Sequence, residues 1–367
     1  MSRRLYLSAA LALTAGMAMR PMAHVVGLAD GGERAAGFAG SFIQLWQRHH
    51  HWDAGDWDAL FDTFSALGLR VLVVQWTRVD GLRFDRSLRG ADSPDHSTPL
   101  EAILRRAQDN GLTVMVGLDH EASWWACARL DATALQVYLA RRALGSLALA
   151  RSLLPRLEDQ PCFGGWYLSE EIDPMSFASH RARSALRGFL QQLGAGLRRL
   201  TPGATVGVSG FAPAGSQPDA CAHLWGELLS GIAPVDRLLI QDGIGVGAQT
   251  LDGWARRLRE LRQVAESVRT PGGGMLQLWP VVEAFAQTAG PGIDAAGFTA
   301  RPAHVDRLVQ QLQLAAGVGC AIAFSVPDYL VPQAGPEASA LYENYLRLGL
   351  RSGPCDAGGI ESVGRGR

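Results

Sequence analysis

Lysine is missing altogether: every one of the 34 basic residues in this 367-residue chain is arginine. Schiff-base aldolases, pyridoxal-phosphate enzymes and Walker-type nucleotide sites each need a lysine amine, so all three classes are excluded. An excess of charge is missing too. The 34 basic residues meet 35 acidic ones and leave a formal net charge of -1, so no basic field points to nucleic acid or an anionic membrane surface. Five cysteines, Cys127, Cys162, Cys221, Cys320 and Cys355, never fall into Cys-x-x-Cys spacing, which argues against a zinc site. In an oxidising compartment one pair could bridge, and the sequence does not say which; buried free thiols are the alternative. No Gly-x-Gly-x-x-Gly follows the first strand-like run, and neither Ser209 nor Ser325 sits in a Gly-x-Ser-x-Gly elbow, so dinucleotide-binding and serine-hydrolase readings have little support.

What is present is a composition that can bury a large core, 47% hydrophobic and 19% charged, far from that of a disordered chain. The N-terminus places Arg3 and Arg4 before an apolar stretch from Leu5 to Ala18. This reads as a secretory signal over residues 1–23, too short and too rich in small residues for a transmembrane span. The order Ser2, Arg3, Arg4, Leu5, Tyr6, Leu7 also resembles a twin-arginine export signal, so a periplasmic or secreted location is expected, with no membrane span in the mature chain. The glycine- and arginine-rich tail over 352–367 reads as disordered.

Between these ends, short apolar runs alternate with longer amphipathic ones. The strand-like runs begin with GSFIQLW from Gly40 and RVLVVQWT from Arg70. They continue with LTVMVGLDHE from Leu112, CFGGWYLSEE from Cys162, ATVGVSGF from Ala204, DRLLIQDGIG from Asp236, MLQLWPVVEAF from Met275 and AIAFSVPDYL from Ala321. Helical patterns follow each of them. One, after the second run, carries its own punctuation: Thr98 as cap, Pro99 at the first turn, Glu101 closing a capping box and Gly111 as stop. Eight such pairs predict an α/β fold, a single-domain (β/α)8 TIM barrel over residues 38–350; strands buried on both faces explain the near-continuous apolar runs. A doubly wound open sheet is the competing fold.

In such a barrel, functional groups gather at the C-terminal ends of the strands. In order, those ends hold Gln44 and Trp46; Gln75 and Trp76; Asp119, His120 and Glu121; Tyr167, Glu170, Glu171 and Asp173. The later four hold Ser209; Gln241 and Asp242; Trp279 and Glu283; Ser325, Asp328 and Tyr329. Carboxylates, amides and tryptophans suit a sugar, whose hydroxyls need polar partners and whose C–H faces stack on aromatic rings. The His49–His51 run is a poor metal site, because consecutive residues rarely converge on one ion. Neither metal nor cofactor is expected.

Glycosidic cleavage needs two carboxyl groups, one to protonate the departing oxygen and one to act as nucleophile or base. Strand four ends in Glu170 and Glu171 and strand seven in Glu283. Their placement resembles that of the clan A retaining glycoside hydrolases, which implies Glu171 or Glu170 as acid/base and Glu283 as nucleophile. Successive strand residues face opposite ways, so only one of the strand-four pair points inward, and Glu171 is preferred. Clan A usually places asparagine before the acid/base, whereas Ser169 and Glu170 stand here. The closer similarity, over roughly Gly40 to Leu348, is to a bacterial glycosidase-like barrel group, domain of unknown function 4434, carried by GSFIQLW, LVVQWT, GWYLSEEID and WPVVEAF. That resemblance implies a barrel with a carbohydrate role.

The expected function is an exported glycoside hydrolase acting on an oligosaccharide or exopolysaccharide by double displacement. Gln44, Trp46, Gln75, Trp76, Asp119, His120, Tyr167, Asp242, Trp279 and Tyr329 would bind the sugar or tune the catalytic pair. The rival is a non-catalytic carbohydrate-binding barrel serving the polysaccharide secretion machinery. For single residues the plainer readings are a solvated loop at Glu170 and Glu171, an arginine partner for Glu283, and core packing for the tryptophans.

Overall fold

A computed structural model of the chain describes residues 36–87, 97–290, 297–353 and 355. The expected signal over 1–23 lies outside the described residues, as does the tail beyond Cys355. Eight parallel strands close into a barrel: β1 Gly40–Ile43, β2 Val71–Val74, β3 Thr113–Gly117, β4 Phe163–Ile172, β5 Thr205–Gly210, β6 Arg237–Gln241, β7 Gln277–Glu283 and β8 Ile322–Phe324. Each pairs with its sequence neighbours, and β8 closes the ring on β1 through Gly40 and Ser41. The fold is therefore the TIM barrel that the alternation predicts.

Helices α1 Ala54–Leu67, α2 Pro99–Asp109, α3 Ala132–Leu157, α4 His180–Leu200, α5 Ala220–Leu229, α6 Leu251–Ser267, α7 Val305–Ala316 and α8 Pro336–Arg347 follow the strands. Local chemistry sets their ends. Thr98 accepts from the Glu101 amide while Glu101 returns a bond to the Thr98 amide, which satisfies two donors that a helix N-terminus would leave bare. Gly68 stops α1 at φ 73°, a left-handed conformation that a Cβ would strain.

The two faces of the strands form two cores. Outward residues such as Leu72, Val116, Leu168, Val208 and Ile240 pack with the helices in the larger cluster. Inward residues, Phe42, Val71, Val73, Met115, Tyr167, Leu239, Trp279, Val281 and Ile322, fill the barrel itself. This is the period-2 alternation carried through in three dimensions. Gly207 leaves room inside: a Cβ there would lie 2.7 Å from the Met115 methyl carbon, so that side chain would have to shift.

Strands one and three are shorter than their sequence runs. Gln44 and Trp46 lie past the end of β1, and Asp119–His120 leaves the barrel to pair with Arg78–Val79 in a small three-stranded sheet. A hairpin, Phe285–Ala289 with Thr299–Pro302, follows β7. At the opposite, N-terminal end, Cys320 and Cys355 form a disulfide that packs against the interior cluster. Arg70 Nη2 donates to Ser352 Oγ at 2.6 Å, so the first residues of the tail run across the barrel floor. Cys127, Cys162 and Cys221 remain buried free thiols.

Candidate active site

Glu171 faces into the barrel mouth. It pairs in register with inward-facing Ser209, and its Oε1 accepts from Gln75 Nε2 at 3.2 Å and from Gln241 Nε2 at 2.8 Å. Its Oε2 is buried with no partner among the described residues. Burial pushes the Glu171 carboxyl up to about 7, the Gln241 bond opposing the shift. The cause is desolvation and not the neighbouring carboxylates, because no cation and no anion is among the larger influences on it.

Glu283 ends β7 on the same inward face as Trp279 and Val281. Its Oε2 accepts from the Val246 amide at 3.0 Å. The loop after β6 lies directly on the carboxylate: a Cβ on Gly245 would come within 2.8 Å of Glu283 Oε2, so only glycine permits this approach. Burial first, and then the Asp242 carboxylate, push Glu283 up to about 8. Asp242 stands behind it, accepting from Ile244 N at 3.0 Å and from Gln311 Nε2 at 2.5 Å, and burial raises it to about 6. It buttresses Glu283 and does not reach toward the mouth.

Glu170 turns the other way, as strand alternation requires. Arg142 Nη2 donates to its Oε1 at 2.9 Å, and Arg142 also pairs with Asp119 at 2.7 Å and Glu121 at 3.0 Å. Asp119 takes a second arginine, Arg78, at 2.6 Å. Asp119 was expected to touch a sugar; it is instead the centre of an ion cluster outside the barrel wall. Among the described residues neither Glu171 nor Glu283 has an ion-pair partner, although Arg307 donates to the Glu283 backbone carbonyl at 3.0 Å.

The aromatic expectations divide. Trp46 is half-buried at the mouth, edge-on to Trp76 at 5.1 Å, and Tyr329 is half-buried against Phe285 at 5.1 Å. Trp76 is buried, its indole N–H spent on the Leu45 carbonyl at 2.7 Å, and His120 stacks on it at 5.4 Å. Burial and Arg142 lower His120 to about 4, so its ring is neutral. Tyr167 and Trp279 fill the barrel interior beneath the mouth, the Tyr167 hydroxyl reaching the residue that Glu171 pairs with. Tyr167 bonds Ser209 Oγ at 2.6 Å inside the barrel, and Trp279 lies under Arg237 at 4.4 Å. Trp279 is four residues before Glu283, and at about 3.3 Å per residue it lies roughly 13 Å back along the strand.

Several neighbours of the site were not anticipated among the binding residues. Gln241 has a signal in the sequence, since alternation from inward Leu239 turns it inward. Arg142 has none, being one arginine in the middle of a long helix. Trp125 and Phe211, half-buried and 5.8 Å apart, flank the end of β4, where the Phe211 amide donates to the Ile172 carbonyl at 3.1 Å.

The raised Glu171 carboxyl has a stability consequence. The folded chain holds this proton up to about pH 7, whereas the ordinary value is 4.5, so stability is highest below that ordinary value and falls as pH rises through the folded one. Above about pH 8 the penalty is roughly 3 kcal/mol. Glu171→Gln removes it and adds a buried amide N–H, costing about 1–3 kcal/mol if unsatisfied. Thermal melts should therefore show the variant gaining on the wild type between pH 5 and pH 8.5; equal pH slopes for the two proteins would contradict the raised pKa.

Comparisons with known proteins agree with this architecture. The Bacteroides thetaiotaomicron protein named "putative alpha-L-fucosidase" superposes with a TM-score of 0.68 at 19% identity, over 90% of this chain and 98% of that one. A β-galactosidase from Marinomonas ef1 superposes with a TM-score of 0.51 at 9% identity, over 84% of this chain and 58% of that one. These likenesses establish the fold. In sequence, the uncharacterized protein YbcH of Escherichia coli K12 is 28% identical over 245 residues, 65% of this chain and 76% of that protein. The family described as domain of unknown function (DUF4434) matches residues 38–336, and the chain belongs to it.

Proposed function

We propose that the chain is an exported glycoside hydrolase that cleaves an oligosaccharide or exopolysaccharide by retaining double displacement. The observation that carries this reading is the contrast among the buried carboxylates. Glu170 and Asp119 are ion-paired with arginines, whereas Glu171 and Glu283 face inward at the ends of β4 and β7 without an ion-pair partner among the described residues. Holding two such groups raises their pKa values and destabilises the fold; chemistry at the site accounts for them.

Glu171 acts as the acid through Oε2, because Oε1 is already occupied by the two amides. Ionised Glu283, oriented by the Val246 N–H, attacks the anomeric carbon. The glycosidic C–O bond breaks as the Glu171 proton passes to the departing oxygen, and a C–O bond to Glu283 forms. Water, deprotonated by Glu171, then releases the sugar and restores both carboxyl groups. Trp46 and Tyr329 offer apolar faces for the sugar ring. The named activities of the fucosidase-like and galactosidase structures are in keeping with this assignment, and the Cys320–Cys355 bridge supports export to an oxidising compartment.

One observation favours a carbohydrate-binding barrel without catalysis, acting with polysaccharide secretion machinery: Glu171 is only 3% exposed and Glu283 2%, so little of either carboxyl is open to a sugar. Incubation with a panel of bacterial polysaccharides and aryl glycosides, followed by proton NMR of the first product, decides between the two. The same anomer as the substrate supports the double displacement. The opposite anomer contradicts it, and binding without turnover supports the rival.

A further inference from the structure

Strand β4 carries two residues more than its neighbour can pair. Leu168 aligns with Val208 and Glu171 with Ser209, so Ser169 and Glu170 form a bulge with no counterpart on β5. A regular strand would set Ser169 beside Ser209 and carry Glu171 two residues onward, about 7 Å higher at the rim. Because the insertion is even, inward and outward faces keep their parity. The carboxylate is simply lowered, to the level where Gln75 and Gln241 meet it.

A bulge in the middle of a buried strand needs outside support. Arg142 reaches in from α3 and is itself 1% exposed. Its Nη2 donates to Glu170 Oε1 at 2.9 Å and to the Asp119 carbonyl at 2.6 Å, while Nη1 meets Asp119 Oδ2 at 2.7 Å. His120 Nδ1 lies 3.2 Å from the Ser169 carbonyl, and Trp124 Nε1 donates to the Glu171 carbonyl at 2.7 Å. The bulge is thus fastened to the residues that follow β3, with Arg142 as its charged anchor.

We propose that Arg142 is a positioning residue for Glu171: by tying Glu170 to Asp119 it holds the bulge that sets how deep the Glu171 carboxylate sits in the barrel mouth. The functional meaning rests on Glu171 being the acid of the proposed reaction, but the geometry is testable without a substrate. Arg142 never touches the sugar; without this anchor the strand regularises, and Glu171 rises toward solvent and leaves Gln75 and Gln241.

The test is a pH titration of the full chain followed by the protonated-carboxyl infrared band, with Glu171→Gln as the blank that assigns the band. In Arg142→Met the Glu171 midpoint should drop from about 7 toward the ordinary value of 4.5. Arg142→Met strands a buried carboxylate and can fail to fold. The pair Arg142→Met/Glu170→Leu removes both charges together, leaves Asp119 with Arg78, and should show the same drop. A folded variant of either kind in which Glu171 still titrates near 7 overturns the proposal. If the wild type degrades a glycan, kcat should fall with the same substitutions and its pH profile, whose limbs the Glu171/Glu283 pair sets together, should extend to lower pH. A titration that shifts in a protein with no hydrolytic activity upholds the positioning role and discards the glycosidase reading.

Discussion

Glu171→Gln should lower kcat on a natural glycan by about 10²–10⁴-fold, the range over which a positioned general acid contributes. On an aryl glycoside whose leaving group needs no proton the loss should be much smaller, because only the second step, activation of water, still depends on Glu171. Glu283→Gln should abolish turnover on both kinds of substrate, since a neutral amide does not replace the carboxylate as nucleophile at the anomeric carbon. That asymmetry separates the roles. Equal losses on both substrates for both variants would contradict the assignment, whatever their size. The pH profile adds a second check. With Glu171 near 7 and Glu283 near 8, kcat/KM should describe a narrow bell centred between them, its limbs belonging to the pair and not to either residue. A broad plateau from pH 5 to 7 would mean that burial does not raise both groups in the free enzyme.

The second large effect concerns the floor of the barrel. Cys320 and Cys355 close a loop of sequence separation 35, for which the chain-entropy relation gives about 4 kcal/mol of stabilisation. At about 2–4 °C per kcal/mol for a domain of this size, Cys320→Ser/Cys355→Ser should melt roughly 10 °C below the oxidised wild type. Dithiothreitol should bring the wild type to the same melting temperature. The bridge packs on the interior cluster beside Ile322, at the end of the barrel away from Glu171 and Glu283, so the double variant should keep its pH profile. A melting temperature unmoved by either treatment would show that the bridge adds nothing to the fold.

The barrel was legible because its repeat is local. Each apolar run and each capped helix announces itself within about a dozen residues, and the Thr98–Glu101 box is written in four. Alternation says that only one of Glu170 and Glu171 turns inward; that it is Glu171 also depends on the bulge before it adding an even number of residues. The depth of each residue was not legible. Tyr167 and Trp279 belong to the inward faces that the sequence marks, yet they fill the barrel core, because position along the axis depends on how eight strands are staggered against one another. Asp119 and Asp242 stand at strand ends as expected, and their partners, Arg142 and Gln311, come from helices that no short-range pattern connects to them.

The order of strands and helices and the carboxylates at the ends of strands four and seven are written in the chain itself, as consequences of periods of two and 3.6 residues. Which acids are ion-paired and which are not, which two of five cysteines join, and how far into the mouth Glu171 reaches became fixed on folding. Those outcomes depend on distances between segments far apart in the chain, and such distances exist only once the ring of strands has closed.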